Sequence, residues 1–244
     1  MHRTGELYGH FQTMEQQKDS ATLGMWIFLS TEILFFGGLF LTYTINRHSY
    51  FPAFGVGGNM LDLRLGAANT VVLIASSFTM AMSVWSAQTS RKKWLPLYLL
   101  LTLILGCVFL GIKYVEYKQK FDHHLVPGRS FDISYRLNHP APGDTPKELA
   151  AEKKELKEGF AADPDLNAHA QLYFSLYFGM TGLHALHMIV GAGLLVWLIL
   201  QSFKGRFTAE YNTPVEMVGL YWHFIDIVWI YLFALLYLIS RHPA

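Results

Sequence analysis

The sequence predicts an all-α, polytopic membrane protein: a bundle of five transmembrane helices with a long extramembrane loop between the third and fourth. Three observations predict it. Of 244 residues, 52% are hydrophobic and only 15% charged, against about 25% charged in an ordinary soluble domain. Five runs reach the ~20 predominantly apolar residues needed to cross a bilayer. Mean hydropathy is a modest +0.26, so one polar stretch must dilute those runs.

The runs fall at about 22–46, 67–88, 94–116, 172–201 and 216–240. Hydrocarbon leaves only helices and closed barrels with their backbone groups satisfied. Barrel strands alternate in polarity over about ten residues, and these runs do not, so all five read as helices. The fourth is long enough to tilt or to extend past the bilayer. No period of 20–50 residues recurs, which argues against a solenoid or an inverted-repeat transporter.

Residues 1–21 are polar, lack an apolar signal-peptide core and are expected to lie in the cytoplasm, with the membrane domain at 22–244. Orientation follows from lysine and arginine in the short connections. Arg3, Lys18, Arg91, Lys92, Lys93, Lys204 and Arg206 fall on one side, and Arg47, Arg64 and Arg241 on the other. The N-terminus is therefore expected inside and the C-terminus outside. The connection 117–171 is the polar diluent and is expected to be an extracytoplasmic loop insertion. It opens with turn formers, then offers Thr145-Pro146-Lys147-Glu148 as a capping box with proline at the first helical position. The helix that follows should carry Leu149, Leu156 and Phe160 on a thin apolar stripe. That helix is either a solvated face or a docking surface for a partner's extramembrane domain. A net charge of +1 gives no sign of nucleic-acid binding. The single cysteine, Cys107, cannot build a disulfide, a two-cysteine copper site or a haem attachment motif.

Ionisable residues inside membrane segments are costly and are functional candidates. Glu32 lies near the middle of the first helix, either as a neutral hydrogen-bond donor to a neighbouring helix or as a proton-handling or lipid-binding carboxyl. His184 and His187, three apart on the fourth helix, read as packing histidines or, less simply, as a metal or haem site. Thr181 with Ala185, and Gly179, Gly182, Gly191 and Gly193, mark close helix approach. On the fifth helix His223 and Asp226 share a face, among Tyr221, Trp222 and Trp229. They can bond each other or reach Glu32, His184 or His187. Lys113 and Glu116, at i and i+3 near the end of the third helix, are expected to snorkel towards the interface as helix-end or lipid contacts. Glu216, Trp222 and Trp229 are grouped with them. No residue stands out as catalytic or as a metal ligand, and His123 with His124 lack companions at metal-site spacing.

With these positions in hand, the sequence resembles subunit III of the haem–copper respiratory oxidases, the cytochrome c oxidase subunit 3 family, in a short five-helix form. LGMWIFLSTEILFFGG is similar to the family's helix with a buried, carbodiimide-sensitive glutamate, which puts that role on Glu32. NTVVLIASS, then LG with KYVEY, are similar to the next two helices and place Glu116 at the family's acidic position. TGLHALHMIVGAG resembles the histidine helix and assigns His184 and His187. Glu216 and YWHFIDIVW resemble the last helix.

The resemblance implies a non-redox subunit that packs mainly against subunit I, also meets subunit II, binds phospholipid and supports proton uptake. Haem and copper belong to those partner chains. The long form of the family has two more helices at its N-terminal end, which wall a lipid cleft, and Gln201 aligns where many members carry arginine. A bacterial inner-membrane cytochrome c oxidase is the implied setting, with a quinol oxidase as the alternative. A stand-alone proton or solute transporter, relaying through Glu32, His184, His187, His223 and Asp226, is a reading from another class, and an intramembrane metalloenzyme a third.

Overall fold

The computed structural model describes residues 11–140 and 146–239, apart from the side chains of Arg136, Lys147 and Glu148. The described residues form helices joined by turns, in the order α1 (Met14–Ser49), α2 (Phe51–Asn59), α3 (Leu63–Gln88), α4 (Leu95–Asp122), α5 (Tyr135–Asn138), α6 (Pro146–Ala162), α7 (Leu166–Phe203) and α8 (Thr213–Phe233). A π-helical turn, Ala234–Leu238, prolongs α8. By length and composition, α1, α3, α4, α7 and α8 with its π turn are long and apolar enough to cross a membrane.

Each of these outruns its apolar core, because backbone hydrogen bonding continues through polar residues of good helix propensity. Thr13 caps α1, its Oγ1 accepting from Gln16 N–H at 3.1 Å. Asp62 Oδ1 accepts from Arg64 N–H and Leu65 N–H at the start of α3, satisfying otherwise orphaned donors. Beyond Glu116, α4 continues through Lys118, Gln119 and Lys120 to Asp122. At the far end of α7, Gly205 takes φ +68°, the left-handed conformation that closes helices without a Cβ penalty.

The connection expected at 117–171 is consequently shorter, because α4 and α7 extend into it from both sides. Pro146 opens α6 as the sequence suggested. Thr145 of the expected capping box lies outside the described residues. Leu156 is buried and Leu149 half-buried, but Phe160 is exposed. The apolar stripe on α6 is therefore narrower than its spacing implied, with Gly159 packed against Leu166 and Val56 in its place.

The short helix α2 has no counterpart among the sequence expectations. Pro52 in its first turn favours it, while three glycines in nine residues argue against it. Burial of Ala53, Phe54 and Val56 decides the outcome. A Cβ at Gly57 would sit 2.5 Å from the Tyr173 ring, so that glycine lets α2 lie flat on it.

The chain divides into two compact units. The first holds Met1–Phe36, Asn69–Leu110 and His184–Ile230; the second holds Gly37–Ala68, Gly111–Leu183 and Tyr231–Ala244. In the first unit, α3 and α8 pair antiparallel around Trp222, which donates to Ser76 Oγ at 2.9 Å, and Trp229, which donates to Thr70 Oγ1 at 3.1 Å. Both indoles are fully buried. A Cβ at Gly106 would lie 2.9 Å from Trp222 and one at Gly191 would lie 3.0 Å from it. These two glycines make the slot for the ring. Gly179 and Gly193, expected to mark close approach, have nothing within 4 Å of a Cβ; glycine spacing alone does not say which face a neighbour occupies.

In the second unit, Tyr43, Phe54 and Tyr173 form a buried ring cluster with centroids 5.4–6.3 Å apart. Two of its hydroxyls serve the π turn: Tyr43 donates to Leu235 C=O at 2.9 Å and Tyr173 to Leu236 C=O at 3.3 Å. A π turn leaves carbonyls without their ordinary helical partners, and the tyrosines supply donors.

Candidate functional site

The polar residues singled out from the sequence fall into separate clusters, one set in each unit. In the first unit, Glu32 on α1 and His187 on α7 meet, with Oε2 and Nε2 3.2 Å apart. Both side chains keep about a fifth of their surface open, 20% and 17%. Phe36 packs on the imidazole, with centroids 5.4 Å apart, and Tyr221 O–H donates to the His187 carbonyl at 3.2 Å. The carboxyl is thus held by a histidine and bordered by aromatic rings.

His184 does not share this site. It is 1% exposed and sits between Phe109 and Trp229, with centroids 5.4 and 5.3 Å away. The two histidines share a helix yet turn to different neighbours, because three residues of helix still leave about 60° between their directions.

On α8, His223 Nδ1 lies 2.7 Å from Ser77 Oγ of α3. Asp226 is 5% exposed, and neither of its oxygens has a hydrogen-bond partner in the chain. His223 and Asp226 therefore do not bond each other, as their spacing had allowed. Glu216, at the start of α8, accepts from the Gln88 side-chain amide Nε2 at 2.7 Å and faces Lys18 at 3.6 Å. Trp222 and Trp229, grouped in sequence with lipid contacts, are instead core residues of this unit, both fully buried and each with a hydroxyl on α3 to accept from its indole N–H.

The second unit contains what the sequence misread most. Lys113 and Glu116 do not snorkel: they are 3% and 0% exposed. The helix continues past them to Asp122, and their polar ends turn to other side chains of this unit. Lys113 Nζ donates to Glu116 Oε2 at 2.9 Å, Tyr177 Oη at 3.2 Å and Tyr237 Oη at 3.3 Å. Tyr177 and Tyr237 both donate to Glu116 Oε1, the former at 2.8 Å. The ion pair is therefore wrapped by two phenols that bond both charges. Tyr117 O–H meets Thr181 Oγ1 at 2.6 Å beside it, and its ring lies 5.2 Å from the Lys113 ammonium. One turn on, Lys120 is also buried and donates to the Met60 carbonyl at 2.5 Å.

A buried charge pair is tolerable only when its remaining donors and lone pairs are met, and here α7 and the π turn meet them. Tyr177, Tyr237 and Ser77 were not anticipated. Their only sequence signal is a hydroxyl in an apolar run, which does not name a partner.

Comparison with known proteins now decides the family. The family model described as cytochrome c oxidase subunit III matches residues 1–123 and 164–241. The chain belongs to the cytochrome c oxidase subunit III family. It is a subunit III of a haem–copper oxidase. Similar proteins include cytochrome c oxidase subunit 3 of Thermostichus vulcanus, 28% identical over 93% of this chain and 90% of the relative. Probable cytochrome c oxidase subunit 3 of Nocardia farcinica is 31% identical over 89% and 87%. Probable quinol oxidase subunit 3 of Staphylococcus haemolyticus is 28% identical over 89% and 88%. The match breaks between 123 and 164, and α5 and α6 lie in that gap.

Proposed function

We propose that this subunit III is a non-redox, structural and phospholipid-binding component of a cytochrome c oxidase in aerobic electron transport. It stabilises the catalytic subunit and its proton uptake. The supporting observation is the unequal burial of its long apolar helices. Within the most apolar stretch of α1 only 11% is buried, against 50% in α8. Leu23, Trp26, Ile27, Ile33, Leu34 and Leu41 stand exposed along α1. Inside a bilayer such a surface meets lipid or another subunit, and the partly open Glu32–His187 pair adjoins it. In this reading that pair is a proton-related or lipid-facing site.

Haem and copper belong to the partner chains, subunits I and II, with subunit I the main contact. Among the described residues the intramembrane histidines of α7 are otherwise engaged: His184 is enclosed by rings, and His187 meets Glu32. The setting is a bacterial inner membrane crossed five times. Residues 1–21 are cytoplasmic, the C-terminus is outside, and the segment around 117–171 is an extracytoplasmic surface for further respiratory-complex subunits. Glu216 marks the cytoplasmic end of the last span.

Oxygen consumption by the purified complex tests this reading. Turnover with reduced cytochrome c as donor is expected, with phospholipid retained on the complex and a shortened active lifetime once this subunit is stripped. Turnover with a quinol alone would assign the complex to the quinol oxidases, as the Staphylococcus relatives' names suggest for those proteins. An active lifetime unchanged by removal of this subunit would contradict the stabilising role.

A further inference from the structure

The buried side chains of the first unit whose polar atoms have no hydrogen-bond partner include Asn69 and Asp226, on the paired helices α3 and α8. Asn69 on α3 is 0% exposed, and both its amide nitrogen and amide oxygen lack hydrogen-bond partners; Asp226 on α8 is 5% exposed, and both its carboxyl oxygens lack them. Native interiors leave few such groups unmet, and those the chain does not satisfy are met by ordered water making two to four bonds.

The antiparallel pairing of α3 with α8 places the two residues near each other. Trp229 reaches Thr70, Trp222 reaches Ser76, and His223 meets Ser77. Residue numbers thus fall on α8 as they rise on α3, and Asp226 lies level with the turn that begins at Leu73. Asn69, Leu73 and Ser76 form one buried stripe at i, i+4 and i+7 that faces α8. Asn69 is one turn from the level of Asp226, about 6 Å along the axis. That is too far for a direct bond in these rotamers and a fitting span for one or two waters.

The surroundings close the other routes. Ser77 is the polar neighbour acting on Asp226, but its hydroxyl, 2.7 Å from His223 Nδ1, has one proton to give and can meet at most one of the carboxyl oxygens. Trp229, one turn further along α8, gives its N–H to Thr70, and the His184 and Phe109 rings pack on that indole. A partner subunit has no access to side chains so deeply covered by this chain itself. Water is small enough and offers both the donors that the carboxyl needs and the acceptors that the amide needs.

We propose that Asn69 and Asp226 form an internal hydration site, in which ordered water bridges the α3 amide to the α8 carboxyl. Asp226 then holds α3 to α8 through water rather than by a direct contact. This does not depend on the donor or the lipid role proposed above.

Radiolytic labelling of the full chain, purified with its co-purifying chains in lipid nanodiscs, tests it. Hydroxyl radicals formed from bound water oxidise the side chains beside that water, however deeply these are buried. Leu73, 1% exposed, is expected to be labelled several-fold more than the equally buried Leu99 and Leu195. Asn69→Leu and Asp226→Leu are each expected to lower the Leu73 signal to that background. Labelling of Leu73 no greater than Leu99 in the wild type would overturn the proposal without recourse to any variant. A Leu73 signal that survives both substitutions would overturn it equally, since the water would then be held by other groups.

Discussion

Lys113 and Glu116, one turn apart on α4, form an ion pair of 2.9 Å at the centre of the second unit, and Tyr177 and Tyr237 bond both of its charges. Burying two charges is expensive, and their attraction offsets that cost only with every remaining donor and acceptor met. Removing one partner strands the other. Lys113→Met is therefore expected to destabilise the protein by about 3–5 kcal/mol, and Lys113→Met with Glu116→Leu by less than Lys113→Met alone. Thermal midpoints of the purified complex check this. A double variant worse than both singles would argue against the pair as the source of the effect.

The phenols should matter individually. Tyr177→Phe and Tyr237→Phe each remove two hydrogen bonds, one given to the Glu116 carboxylate and one accepted from the Lys113 ammonium, so a loss of at least the ~1.5–3 kcal/mol of a single bond to a charged group is expected. Tyr231→Phe alters an exposed ring on α8 with no such bond and should leave the midpoint unchanged. The comparison of these three midpoints is the measurement.

Glycines that form a slot should respond differently from glycines in open space. Gly106→Ala would drive a Cβ to 2.9 Å from Trp222, and overpacking of this kind costs about 1–3 kcal/mol. Gly193→Ala has nothing within 4 Å and should be neutral or slightly stabilising, since alanine is the better helix former. Tryptophan fluorescence during unfolding reads both, and equal effects would contradict the slot.

The Glu32–His187 pair gives a test on the exposed α1 surface. Glu32→Gln keeps a hydrogen-bonding group opposite His187 Nε2, whereas Glu32→Leu removes it. We expect Glu32→Gln to retain assembly and the lifetime of turnover more fully than Glu32→Leu. Activity followed over repeated turnover, with phospholipid content measured alongside, is the check; equal lifetimes would remove the pair from that role.

The sequence made the long helices legible because an apolar run of twenty residues has one structural solution in hydrocarbon. Their ends were less legible, since α4 and α7 continue through polar residues that hydropathy reads as loop. The family was also legible, because ordered motifs on several helices agree. Side-chain roles were harder to read, for a physical reason. Spacing places Lys113 and Glu116 on one face, but only tertiary packing determines whether that face meets the membrane interface or two tyrosines. For the same reason the bond of Glu32 with His187 was not among the pairings that spacing offered, and the bond between His223 and Asp226 that it allowed does not form. The helix α2 escaped notice because its glycines outweigh its local helix signals until Phe54 and Val56 are buried.

The central claim, that this chain works as a helper to separate redox-active chains, has one direct test. The protein is purified in mild detergent through a tag on this chain, and the co-purifying chains are identified while a reduced-minus-oxidised spectrum is recorded. The account predicts haem absorbance carried by larger partner chains, with no haem or copper left on this subunit once it is separated from them. A monodisperse preparation of this chain alone, without haem-bearing partners, or haem remaining on the isolated subunit, would contradict it.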